Sequence, residues 1–187
     1  MAPAPRAHEA HAASANASAS LAHVTDDTTL KKRSCEADER KVAGHWEGDL
    51  IIGLNRSAIA TLIARTTRFA MLVHLPRQKG YGVVKQTKNG PALAGYGAVT
   101  MKNALVRTFE PLPAHLRRSP TWDRGKSMSA YALLTQEIGL PVYFVDAKSP
   151  WQYGSNGRLN GLHRQYFPKG TDISRWSTQR FKLSWTL

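Results

Sequence analysis

A chain of 187 residues with 26 Lys and Arg against 13 Asp and Glu, formally +13, is of one-domain length and can bury a core. Its single cysteine, Cys35, excludes an intrachain disulfide, a Cys-rich zinc site and a CxxC redox pair. No apolar run approaches the roughly 18–20 residues of a spanning helix, and no signal-type apolar core opens the chain, so a cytoplasmic protein without a membrane partner is expected. The charge is uneven: residues 1–40 hold 5 basic and 6 acidic side chains, leaving 21 and 7 for residues 41–187. The excess of +14 on the second part points to a polyanionic partner.

Residues 1–40 divide into an Ala/Ser/His-rich opening and a charged stretch from Thr25 to Arg40. Neither shows a helix or strand period that would bury a face, so both read as a disordered leader. From Lys41 the pattern is apolar. Asp49 to Gly53, Ser57 to Arg65 and Arg68 to Leu75 read as three strands of an antiparallel meander, with Thr66 and Thr67 as a turn. Pro76 to Gly97 reads as a long Gly/Lys/Tyr-rich connection, a basic surface loop over the site. Val99 to Phe109 reads as a helix, with Met101, Leu105 and Phe109 at four-residue steps. Ser119 to Asp123 reads as a strand end, followed by Gly125 and a helix starting near Ser127 with Tyr131, Leu134 and Ile138 as its buried stripe. Pro141 to Val145 reads as a fifth strand. Leu159, Leu162 and Tyr166 suggest a last helix, capped by Ser155 or Asn156 and stopped by Pro168. The order is that of an α/β fold, a mixed five-stranded sheet with helices packed on it.

Two distant strands each deliver an aspartate beside a glycine, Asp49 and Asp123. Neighbouring strands would let these carboxylates share a hard divalent cation, since Mg²⁺ favours one or two protein carboxylates together with water and phosphate oxygens. Such a pair suits two-metal phosphoryl transfer, for which a third acid normally completes the clamp. The alternative for Asp49 is a turn acid that satisfies a backbone amide.

The runs Gly44-His45-Trp46-Glu47-Gly48-Asp49-Leu50-Ile51-Ile52-Gly53, Thr121-Trp122-Asp123-Arg124-Gly125-Lys126, Ser149-Pro150-Trp151-Gln152 and Arg164-Gln165-Tyr166-Phe167-Pro168-Lys169-Gly170-Thr171-Asp172 resemble the catalytic domain of bacterial insertion-sequence transposases of the IS-thirty type. The resemblance covers roughly residues 41–177. It implies a ribonuclease-H-like, retroviral-integrase-like core over 41–177. It also implies a DDE triad that uses two Mg²⁺ or Mn²⁺ ions to cut and join DNA at transposon ends and target. Homo-oligomers, or association with an intact transposase, would follow. By position Asp49 and Asp123 match the first two acids and are the expected metal ligands. The third should be a Glu opening the last helix, and Gly157 stands there. Asp146 comes before the Pro150 loop and Asp172 follows the helix, so neither replaces it. At about 4 kcal/mol for the lost carboxylate, the rate would fall roughly 10³-fold.

Tyr153, Ser127, Arg158 and Leu159 also depart from the family pattern, as does the tail of residues 178–187. The expected reading is a truncated, degenerate copy: a catalytic core that is weakly active, or an inactive DNA-binding remnant. Lys126, Arg164, Lys169 and Arg175 are the candidate DNA contacts, against the plainer reading of solvated cations. Trp151, Tyr166 and Trp176 read as core, and His45 and Trp46 as packing residues. His45-x-Glu47 superficially suggests a zinc deaminase, but the Pro-Cys-x-x-Cys partner is absent. Gly80-Tyr81-Gly82 and Gly95-Tyr96-Gly97 are too short for dinucleotide fingerprints.

Overall fold

A computed structural model describes residues 25–83, 95–146, 149, 152 and 156–175. The expectations for Trp151, Tyr153, Trp176, residues 1–24 and the tail of residues 178–187 lie outside the described residues. A short helix, α1 (Cys35–Glu39), precedes the first strands, β1 (His45–Ile52), β2 (Ala58–Ala64) and β3 (Ala70–Leu75). Short connections allow only hairpin pairing. β1 and β2 run antiparallel from Trp46↔Ala64 to Ile52↔Ala58, and β2 pairs with β3 from Ala58↔Leu75 to Ile63↔Ala70. β1 starts four residues before the apolar run because polar His45 and Glu47 occupy buried positions on it.

Helix α2 (Ala98–Phe109) then crosses to β4 (Ser119–Trp122), and α3 (Tyr131–Ile138) to β5 (Tyr143–Phe144). Both new strands lie parallel in the order β3-β2-β1-β4-β5. Helix α4 (Asn156–Tyr166) packs on β1. The fold is therefore α/β, a mixed five-stranded sheet flanked by helices, as the resemblance implies.

One face of the sheet, with Trp46, Leu62 and Trp122, meets Met101, Leu105 and Phe109 of α2 and Leu134 of α3 in the main core. Trp46 meets Phe109 edge to face at 6.0 Å, and its indole N–H donates to the Leu116 carbonyl at 2.9 Å. These apolar positions are the ones that helix spacing predicts. Gly48 faces Trp122 so closely that an added Cβ would lie 2.2 Å from the indole Cε2. Trp122 is fully buried, so neither partner can move cheaply. Gly48→Ala is expected to destabilise the fold by about 1–3 kcal/mol through overpacking. A urea midpoint equal to that of the unsubstituted chain would contradict this.

The opposite face is covered in two parts. Over its distal half, Phe167 and Ile173 pack against Ile51 and Ile59. Here the predicted stripe of α4 is corrected. Leu162 and Tyr166 are each 55% exposed, whereas His163 and Phe167, one turn apart, are buried. The apolar spacing located the helix but not the face it buries, and Tyr166 is not core.

Over the proximal half lie residues 25–40, and this part of the expected disordered leader is ordered on the sheet. Thr29 bridges to Phe144 of β5, Ala37 is completely buried and Arg33 is 7% exposed. The segment has no apolar period because charged side chains attach it. The Arg65 Nε donates to the Ala37 carbonyl at 2.8 Å, and Arg33 reaches Thr121 on β4 at 2.7 Å.

Candidate catalytic site

Asp49 lies on β1 and Asp123 directly follows β4, and these two strands are parallel neighbours in the sheet. Their register is His45↔Ser119, Trp46↔Pro120 and Glu47↔Thr121. Paired residues point to the same side, and the side repeats every second residue. Two steps beyond Glu47↔Thr121 come Asp49 on β1 and Asp123 immediately after β4. The pairing itself ends at Glu47↔Thr121; continued by the same two-residue step it would set Asp49 and Asp123 on one face, on strands about 4.8 Å apart.

Their surroundings differ. Asp49 is half-buried, and its Oδ1 accepts the Leu50 N–H at 2.7 Å. Asp123 is exposed beyond the strand end. Gly125 leaves it room: a Cβ on that residue would lie 3.0 Å from Asp123 Oδ1. The Asp-x-Gly spacing was the available signal for Gly125 as a site residue. Pairs of carboxylate oxygens on adjacent strands suit a hard cation. Among the described residues no group of three His, Cys, Asp or Glu is gathered for a metal. Gly157, at the second position of α4, supplies no donor, and the first turn of α4 has no acid.

The two other late acids are engaged elsewhere. Hydrogen bonds from Ser174, with Arg77 at 3.0 Å, hold the Asp172 carboxyl well below the usual carboxylate range. Asp146 lies 3.5 Å from Arg124 and accepts from Gln152.

Behind the aspartates, the same face carries a ladder of polar pairs that sequence reasoning did not find. His45 Nδ1 lies 2.7 Å from Ser119 Oγ, and its Nε2 lies 3.1 Å from Glu36 Oε1. Burial pushes the His45 imidazole below its usual value, against the opposing effect of its hydrogen bond to the Glu36 carboxylate. A neutral ring can donate to the carboxylate and accept from the serine hydroxyl. Glu47, with no solvent exposure, meets Arg65 at 2.5 Å and Arg40 at 3.6 Å. His45 and Trp46 are buried packing residues, as expected.

The candidate DNA contacts do not form one described cluster. Lys126 is exposed in a 3₁₀ turn (Lys126–Met128) close after Asp123, and Lys169 is exposed beyond α4. The Arg164 guanidinium donates to the Ile52 carbonyl at 3.3 Å. Arg175 closes the turn Ile173–Arg175, and its side chain lies outside the described part. In the basic connection, residues 76–83 and 95–97 are described, and residues 84–94 lie outside.

This sheet order, with an aspartate strand at its centre and a second beside it, defines an α/β core of the ribonuclease-H-like, integrase type. The chain is a relative of the IS30-type transposases. It is 37% identical over 161 residues to the transposase InsI for insertion sequence element IS30A of Escherichia coli, covering 86% of this chain and 37% of that protein. It is 38% identical over 157 residues to the transposase for insertion sequence element IS1086 of Cupriavidus metallidurans, covering 83% and 41%. Against the transposase for insertion sequence element IS4351 of Bacteroides fragilis the identity is 30% over 140 residues, covering 74% and 37%. The chain therefore spans little more than a third of the length of these relatives. No protein-family model matches it.

Proposed function

We propose that this chain is a transposase catalytic core acting in DNA transposition, integration and recombination, with Mg²⁺-dependent strand cleavage and transfer at transposon ends weakened by Gly157. The observation that supports the proposal is the parallel β1–β4 pairing through Glu47↔Thr121, which, continued by two residues, would bring Asp49 beside Asp123. These two carboxylates would hold Mg²⁺ or Mn²⁺, and an intact site of this type would hold two ions. The bound ion would supply charge stabilisation to the attacked phosphate. Asp49, with one oxygen fixed by the Leu50 amide, presents its carboxylate from a rigid strand. Asp123 presents its own from the mouth of the site. Lys126, Arg164, Lys169 and Arg175 would take DNA phosphates.

The absence of a third acid at residue 157 favours a second reading, an inactive DNA-binding relative that occupies ends or pairs with an intact transposase. Among the described residues no helix is long and apolar enough to cross a membrane. We place the chain in the cytoplasm with its DNA.

One experiment separates the readings. A labelled duplex bearing the element's own terminal sequence is incubated with the chain and Mn²⁺, and nicking and binding are followed across a salt series. Nicking lost in Asp49→Ala supports the enzyme, and binding without nicking supports the second reading. With four phosphate contacts, affinity is expected to fall about 10²-fold between 50 and 200 mM salt. A flat salt response opposes both.

A further inference from the structure

The ladder between β1 and β4 stops at Glu47↔Thr121, one same-face step before the two aspartates. β4 is only four residues long, and its Pro120 has no N–H to give to any ladder. Beyond Glu47↔Thr121 no backbone pair among the described residues joins β1 to β4, so side-chain links at that last pair bear on how far apart Asp49 and Asp123 sit. The side chains there form a continuous link. Arg33 Nη1 donates to Thr121 Oγ1 at 2.7 Å, and its Nη2 pairs with Asp38. Asp38 lies 3.8 Å from Arg65, which meets Glu47 at 2.5 Å. One step earlier, Glu36 is joined to the His45–Ser119 pair. Residues 33–38 therefore touch both cross-strand pairs that precede the aspartates.

We propose that Arg33 is a positioning residue for the Asp49/Asp123 pair, tying β4 to β1 from the segment ahead of them where the backbone pairing ends. The inference rests on the reading of these two aspartates as one site. A buried guanidinium hydrogen-bonded to a hydroxyl on a short strand restrains that strand's exit, and a charged hydrogen bond is strong enough for this.

The test measures the separation without metal. In a Cys35→Ser background, Asp49→Cys with Asp123→Cys puts one thiol on β1 and one just past the end of β4, and a disulfide forms between them only if their Cα atoms come within about 7 Å. With oxidised glutathione (GSSG) as the oxidant, reduced to two GSH by thiol–disulfide exchange, the pair is expected to close. Thr121→Val, which keeps a β-branched side chain of nearly the same size, is expected to slow closure roughly tenfold, the scale of one charged hydrogen bond. Arg33→Met should slow it at least as much, and Thr121→Val added to Arg33→Met should slow it no further, because both cut one link. Arg118→Ala, which removes an exposed partner of Glu36, should leave the rate unchanged. Should Arg33→Met fail to fold, Thr121→Val decides alone. An unchanged rate in Thr121→Val, or a pair that never closes, overturns the proposal. Mn²⁺ titration of the unsubstituted chain and of Asp49→Ala judges the metal reading separately: equal affinity removes that reading, while the closure rates still decide the role of Arg33.

Discussion

Arg65→Met is expected to lower folding stability by about 3–5 kcal/mol, because it leaves the carboxylate of Glu47 in the interior without its nearest cation. Glu47 has no solvent exposure and Arg65 only 5%. Burial, with the charge of Arg33 beside it, pushes the Arg65 guanidinium below its usual value, and Glu47 opposes that shift. Taking both ions out of water is costly, so the pair is no large source of stability, yet breaking it is expensive. Arg40 at 3.6 Å is a longer pairing than that of Arg65 and too far for a good hydrogen bond. The double change Glu47→Gln with Arg65→Met should recover a large part of the loss. Urea unfolding followed by circular dichroism measures both, and a loss below about 1 kcal/mol in Arg65→Met would contradict the burial argument.

The same cluster shows why parts of the fold were legible in the sequence and parts were not. Strands β2 and β3 and helix α2 satisfy simple periods, since one apolar core receives their side chains, and their observed limits fall within a residue or two of the predicted ones. β5 is shorter than the apolar run Pro141 to Val145, because only Tyr143 and Phe144 pair with β4. The helix expected from Ser127 is split, with a 3₁₀ turn at Lys126–Met128 and α3 beginning at Tyr131. Tyr131 and Leu134 nevertheless form the predicted stripe, with Ile138 partly buried.

Residues 25–40 escaped because patterning rules weigh apolar burial, whereas Arg33, Glu36 and Asp38 dock through charge and hydrogen bonds to groups that are themselves polar. A buried Arg, His and Glu on one face carry no sequence period that separates them from a solvated face. The aspartate pair had the opposite character. Each residue could be picked out from its strand and neighbouring glycine, but that their strands are parallel neighbours appears only in the sheet order. The Arg77–Asp172 pair, which removes Asp172 from the candidates for the third acid, joins residues 95 positions apart and had no local signal.

Gly157→Glu is expected to raise Mg²⁺- or Mn²⁺-dependent nicking of terminal-sequence DNA by roughly 10³-fold, if a third carboxylate contributes about 4 kcal/mol of charge stabilisation. Residue 157 is the second residue of α4, and no acid occupies that first turn. A glutamate there would also replace a poor helix former, for a gain of up to about 1 kcal/mol, and add a negative charge near the positive end of the helix. That second effect must be separated from the first. Gly157→Gln supplies the same helix propensity without the charge, so it should raise the melting temperature slightly and leave nicking and Mn²⁺ affinity unchanged. Only Gly157→Glu should tighten Mn²⁺ binding, measured by calorimetry, and the gain should disappear in combination with Asp49→Ala. Equal nicking by the Glu and Gln variants would mean that the opening of α4 does not face the two aspartates, and the placement of residue 157 as the third corner of the site would fail.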